Sequence, residues 1–257
     1  MATMQLNTDY SLLAKRLAQA LHLQRVPVAI SFAESIPEGT AAHPGRVPAG
    51  CRFWEDAAAG AFATSAAQHR LCSIGVYTHN LQPSPTQEND LIDALKIFGD
   101  LGYVRVEDLP LIPVLERRPN FVVYAPLAAS PLPPDIVLLF VDANQTLVLA
   151  EATHQVETQN APAMGRPACA VVPQVMNTGR AALSLGCCGA RAYLDGLDGS
   201  TAIFAIPGAK LEAYIQRIEA LSRANLLLTK FHQLRRQDVH AGNNPTIQES
   251  FQALAGS

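Results

Sequence analysis

Two adjacent thiols close an apolar run in "LSLGCCGAR", residues 183–191, and three further cysteines, Cys51, Cys72 and Cys169, are scattered through the 257-residue chain. Thiolates are the ligands of iron–sulfur clusters and of tetrahedral zinc sites, and each must lose its proton to bind. Five cysteines, an odd number in a large chain, do not make the framework of a small secreted domain. Free thiols, metal ligands or redox groups are the expectation. The dense cysteine spacings of ferredoxins and zinc ribbons are missing, so a shared metal would have to gather sulfur from distant segments.

Each thiol has its own setting. Cys51 follows "PAG" at a loop-to-helix junction, where a helix dipole favours the thiolate. Cys72 lies in "QHRLCSIG", and His69 and Arg70 make that setting electropositive by sequence. Cys169, in "PACAVV", has the apolar context of an ordinary buried cysteine, and is expected as a fourth ligand or as a neighbour of the site. Neighbouring side chains on a strand point to opposite faces, so one member of the doublet serves a common site. Cys187 is the choice, with Cys188 filling space or acting as a spare thiol. Gly189 would let backbone approach a bound group closely, and Arg191 would hold an anionic substrate by a two-point contact, a surface salt bridge being its alternative. His69 is the candidate for moving a proton. His22, His43, His79, His154, His232 and His240 read as polar surface.

The elements that must position these residues follow from periodicity. Leu12, Leu13, Leu17, Ala20 and Leu21 predict a helix over 8–22, and "VPVAISFA" predicts a buried strand over 26–33. A turn-rich loop leads to Cys51, then a short helix to Gly60 and a short strand "AFATS". "PTQENDLIDALKIFGDLG" predicts a helix over 85–102. Strands are expected over 120–127 and 135–142, helices over 143–156 and 166–179, and strands in "RAALSLG" and "TAIFAIP". A long final helix begins near Gly208, and the polar tail after Arg236 reads as loosely held.

The two cysteine neighbourhoods share a plan: cysteine, helix-like stretch, glycine, apolar strand, cysteine. It runs from Cys51 through Gly60 to Cys72, and from Cys169 through Gly179 to Cys187. The fold expected is α/β, a mixed sheet with flanking helices. It would be a single domain over 1–257, laid out as two pseudo-equivalent halves near 1–118 and 119–236 around a shared site. Coincidence in an alanine- and glycine-rich chain is the competing account of the repeat.

Composition excludes several classes. A net charge of −3, with 16% charged residues, offers no basic surface for nucleic acid. The amino terminus does not read as a secretory signal, and no apolar run approaches the ~20 residues that span a bilayer. A cytoplasmic protein without a membrane partner is expected, with homo-oligomerisation left open. No nucleotide-binding glycine motif, metalloprotease histidine pair or serine nucleophile elbow occurs.

The chain resembles the bacterial and archaeal proteins grouped as domain-of-unknown-function family 169. The likeness lies in "VPVAISFAESIPEG", in Cys51 with "AAAG" after it, in "HRLCSIG", in "PACAVV", and in "LSLGCCGAR" with "AIPGAKLEAYI" behind it. The resemblance implies cysteines at the places of Cys51, Cys72, Cys169 and Cys187, and a Gly-Cys-x-Gly-x-Arg element at Gly186, Cys187, Gly189 and Arg191. Cys188 stands where the family often has a small polar residue.

The function expected from the thiols is binding of an iron–sulfur cluster, of the 4Fe-4S type, through Cys51, Cys72, Cys169 and Cys187, with zinc as the alternative metal. Three thiolates on a cubane would leave one iron open as a Lewis acid, suiting a hydratase or dehydratase acting on a small anionic substrate. Four thiolates would suit electron transfer with a redox partner. A non-enzymatic metal-binding module and thiol redox catalysis at Cys51 or Cys72 are the other readings.

Overall fold

The structure is a computed structural model that describes residues 8–158 and 162–255. Its frame is an eight-stranded mixed sheet, ordered β2-β3-β4-β1-β5-β8-β7-β6, with helices on both faces. The strands are β1 (Val28–Ala33), β2 (Ala41–Ala42), β3 (Phe62–Thr64), β4 (Phe121–Pro126), β5 (Ile136–Val141), β6 (Ala163–Met164), β7 (Ala182–Ser184) and β8 (Ala202–Pro207). Every residue of β5 and β8 is buried, because both strands lie inside the sheet with both faces covered.

Side chains alternate between two cores. Ala29, Val137, Leu139, Val141, Phe204 and Ile206 face α1 (Tyr10–Leu21), α5 (Ala143–Glu157) and α8 (Leu211–His240). These helices carry the apolar stripes read from the sequence, and their starts are fixed by side chains. Asp9 caps α1 by accepting from Leu12 N, and Asp142 and Gln145 form a reciprocal capping box on α5. The opposite face presents Val28, Ile30, Phe32, Val122, Tyr124, Ile136, Leu138, Ile203 and Ala205. It is covered by short helices: α2 (Arg52–Asp56), α3 (Ser73–Thr78), α6 (Val171–Thr178) and α7 (Cys188–Tyr193). Cys51 and Cys169 belong to this second layer, and Cys187 packs against it. Between α3 and β4 lies α4 (Pro85–Asp100), opened by a Ser84–Gln87 capping box with Pro85 in its first turn.

The strand order contains its own repeat. In the first four strands β1 pairs antiparallel with β4, β4 antiparallel with β3, and β3 parallel with β2. In the last four, β5, β8, β7 and β6 pair in the same senses. The two sets join where β1 and β5 run antiparallel through Ala29↔Val137. Both β4 and β8 end on a proline followed by a short 3₁₀ turn. β4 pairs within the first set and β5 opens the second. Two antiparallel strands at the centre put the insertions of both sets on one face of the sheet.

Four elements depart from the sequence expectation. β2 and β6 are two-residue edge strands in turn-rich stretches, and α7 begins at the doublet, where the end of a strand was expected. The described part of the polar tail is helical: α8 runs to His240, and α9 (Ile247–Ala255) folds back so that Phe251 stacks on Phe231 at 4.4 Å.

Candidate metal centre

Each cysteine stands at an equivalent place in the two strand sets. Cys51 follows β2 and Cys169 follows β6, each leading into a helix, α2 or α6. Cys72 follows β3 and Cys187 follows β7, and each is the N-cap residue of the next helix, α3 or α7. The chain therefore delivers two thiols from each half to one face of the sheet.

They meet there. Charge on Cys72 or Cys187 raises the pKa of Cys51, charge on Cys187 raises that of Cys72, and Cys72, Cys187 and Cys51 all raise that of Cys169. Every pair among the four is thus within electrostatic reach. Cys51, Cys72 and Cys169 are buried, Cys187 is half-buried and Cys188 is exposed; the doublet lies at the N-terminus of α7, not on a strand. All five are free thiols.

Burial is the largest influence on the three inner thiols and keeps them protonated. Cys51 is pushed up to about 12, and Cys72 and Cys169 are also raised. The N–H groups of Gly50 and Gly75 face the Cys72 sulfur and work in the other direction, as the Thr78 hydroxyl does at Cys169. The helix-dipole argument for a ready thiolate at Cys51 is therefore overridden by desolvation. The electropositive setting expected around Cys72 is absent too: Arg70 is exposed, and His69, fully buried, is held neutral by burial and by its histidine neighbours.

His69 packs between Phe53 and His79, with ring centroids 4.8 and 5.7 Å away. Its Nε2 shares a 3.2 Å hydrogen bond with the Thr64 hydroxyl, which itself donates to Val122 O at 3.3 Å. Gly50 and Gly75 make room for it. A methyl group on Gly50 would lie 2.8 Å from His69 Nδ1, and one on Gly75 would lie 2.9 Å from Cys72 Sγ and 3.2 Å from Nδ1. These two glycines escaped the sequence reading, although Gly50 directly precedes Cys51 and Gly75 follows Cys72 by three residues. His79 escaped it as well: it is buried, not surface, with Nδ1 2.8 Å from Gly75 O.

Tyr124 adds a polar group in the middle of this apolar layer. Its hydroxyl is buried, raised in pKa by burial first and then by Cys72, Cys169 and Cys51, so it lies near all three inner thiols. His69 Nδ1, His79 Nε2 and the Tyr124 hydroxyl have no hydrogen-bond partner among the described residues. An unpaired buried polar atom costs about 1–3 kcal/mol. Three such atoms lie in the layer that also carries the inner cysteines.

Two expected residues take other roles. Arg191 gives its guanidinium to the carbonyls of Leu185, Leu197, Asp198 and Thr201, so it clamps the loop that leads from β7 to β8 instead of holding out a fork to an anion. Gly189 sits inside α7, where an added methyl would make only ordinary contact with Tyr193, at 3.6 Å. The constrained glycine of that motif is Gly186, with φ +86° and Leu197 and Arg191 against it.

Among the described residues no three His, Cys, Asp or Glu side chains close tightly enough to hold one metal ion. A single tetrahedral ion with metal–sulfur bonds near 2.3 Å would need its sulfurs only ~3.8 Å apart. No described helix is long and apolar enough to cross a membrane.

Residues 16–217, which include all four inward-gathered cysteines, match the family model DUF169, described as "Uncharacterised ArCR". The chain belongs to DUF169. No curated protein and no solved structure matches it. In this DUF169 chain α9 and the distal part of α8 lie beyond the matched span, whereas the whole sheet lies within it.

Proposed function

We propose that this DUF169 protein binds an iron–sulfur cluster, held by Cys51, Cys72, Cys169 and Cys187 from both halves of the sheet. The observation that supports the reading is that Cys51 and Cys169 lie in one apolar layer with half-buried Cys187 packed against it, and that Cys72 is within electrostatic reach of all three. A set of four thiol donors is soft and suits iron–sulfur clusters or zinc.

The metal also answers an electrostatic problem. Burial opposes ionisation of the three inner thiols, and a bound cation reverses that by deprotonating the sulfur it holds. Tyr124, buried on the same face, has its hydroxyl pKa raised by burial and then by charge on Cys72, Cys169 and Cys51. His69, neutral and fully buried, lies beside the same two glycines, Gly50 and Gly75, as the Cys72 sulfur. When bound, the cluster would supply one-electron transfer or, at an open iron, Lewis-acid chemistry on a small anion. Thiol redox catalysis is the weaker reading, because Cys51 and Cys72 are kept as thiols at neutral pH.

Anaerobic purification tests the proposal, with absorption spectra and with iron, acid-labile sulfide and zinc determinations. Iron and sulfide in fixed proportion to protein, reduced by changing Cys51, Cys72 or Cys169 to alanine, is the expected result. Colourless protein with stoichiometric zinc, or iron retained in full by all three variants, overturns it.

A further inference from the structure

Eight consecutive residues in the middle of α8, "RANLLLTK" at 223–230, are exposed all round. Before them the helix packs through Leu211, Tyr214, Ile215 and Ile218, and after them Phe231 is buried and stacks on Phe251 of α9. Leu226 and Leu227 are 61% and 55% exposed, although burial of an apolar face is what normally holds a helix in place. α4 is equally bare: of its 16 residues only Gln87 is buried, and Ile92 and Ile97 are 55% and 56% exposed. α4 packs on α3, and α8 on α1 and α5, on opposite faces of the sheet, so neither helix covers the other within one copy. We infer that α4 of one copy docks on the exposed middle of α8 of a second copy, in a two-fold dimer that uses this contact twice. Neither helix carries a cysteine, so the contact stands apart from the proposed metal centre.

The two faces match in spacing and in sign. On α8, Arg223, Leu226, Leu227 and Lys230 fall at i, i+3, i+4 and i+7, one stripe of the helix. On α4, Asp93, Ile97 and Asp100 fall at i, i+4 and i+7, with Asp90 a turn earlier on the same stripe. Each stripe sets two charges seven residues apart, roughly 10 Å along the axis, with apolar side chains between them. The charges are opposite. α4 carries Glu88, Asp90, Asp93 and Asp100 against Lys96, whereas α8 from Arg223 onward carries Arg223, Lys230, Arg235 and Arg236 against Asp238. Among the described residues none of these side chains takes part in an ion pair. Arg223 and Leu226 also line a groove of about 290 Å³ beside α1, in which Arg16 and Glu219 neutralise each other through hydrogen bonds of 2.8 and 2.9 Å and leave Arg223 unpaired. Pairing α8 with its own copy would set Arg223 and Lys230 against like charges, so the acidic helix is the favoured partner. A two-fold axis exchanges α4 for α8 reciprocally and covers both exposed faces in one closed pair.

Sedimentation velocity of the full chain at micromolar concentration tests the contact. Wild type is expected at the mass of two chains. Asp93→Lys with Asp100→Lys, and separately Arg223→Glu with Lys230→Glu, make the facing stripes alike in sign. Each double variant should weaken dimerisation at least tenfold and sediment as single chains. All four positions are exposed, so circular dichroism should show wild-type helix content in both. An equimolar mixture of the two variants restores opposite charges at both contacts and should return to the mass of two chains. Wild type that sediments as a single chain would assign the faces to a different protein and overturns the dimer. Dimers that survive both reversals, or a mixture that stays monomeric, overturn the pairing of α4 with α8.

Discussion

Gly75→Ala places one methyl group against the most enclosed part of the site. Its carbon would fall 2.9 Å from Cys72 Sγ and 3.2 Å from His69 Nδ1, closer than such atoms approach. Cysteine has a single side-chain torsion, and this sulfur is walled in, so relief must come from moving the ligand or α3. Overpacking of this kind costs about 1–3 kcal/mol. The same substitution gains up to about 1 kcal/mol of helix propensity, because Gly75 lies within α3. Gly189→Ala, within α7, carries the same propensity gain but meets only Tyr193 at ordinary distance. Comparing the two variants cancels the helix contribution and leaves the overpacking, so in urea unfolding of metal-free protein Gly75→Ala should be less stable than Gly189→Ala by about 1–3 kcal/mol. In reconstituted protein Gly75→Ala should also lose iron while Gly189→Ala retains it. Equal stability with equal iron would refute the packing assigned to Cys72 and return Gly189 to consideration.

Other expectations follow from the buried groups. Burial raises the thiols of Cys51, Cys72 and Cys169 in the folded state, so the stability they contribute is complete below about pH 9 and is lost as pH rises toward the folded values, about 12 for Cys51. His69 and His79 are depressed, His79 to about 4, so their contribution is complete above about pH 6.5 and is lost as pH falls. Denaturant unfolding of metal-free protein should therefore show a plateau between those limits, with a slope of about 1.4 kcal/mol per pH unit for each group outside it. A continuous slope through neutrality would contradict the burial of these side chains. Iodoacetamide at neutral pH should label Cys188 well ahead of Cys51, Cys72 and Cys169 in metal-free protein, as peptide mass analysis would show; rapid labelling of Cys51 would revive the redox reading. Arg191→Met should lower stability by about 1–2 kcal/mol, and Arg191→Lys should rescue it only partly, since an ammonium cannot fork among four carbonyls. Unchanged unfolding midpoints for both would remove the clamp.

Much of the frame was legible because apolar periodicity states it directly. The stripe Leu13, Leu17 and Leu21 gives α1, and the unbroken apolar runs of β5 and β8 mark strands buried on both faces. Two-residue strands such as β2 and β6 are too short to carry a period. α7 was hidden because "CCGAR" reads as the end of an apolar strand, while the helix starts at a cysteine cap with no serine, threonine or aspartate to announce it. The matching placement of Cys51 with Cys169 and of Cys72 with Cys187 was visible as a repeated layout, which the strand pairing now locates on one face. Depth was not visible. His69 beside Arg70 looks electropositive in one dimension, yet burial separates them, leaving one neutral and the other in solvent. Arg191 reads in sequence as an anion contact or a surface salt bridge, since the carbonyls that occupy it come from loop backbone that no side-chain pattern reveals.

Iron-edge X-ray absorption of anaerobically prepared protein tests the central claim most directly. Irons surrounded by sulfur, with a second shell of neighbouring iron that disappears when Cys72 and Cys169 are both changed to alanine, is the predicted result. A spectrum of isolated iron bound by oxygen and nitrogen, unaffected by that double change, would contradict it.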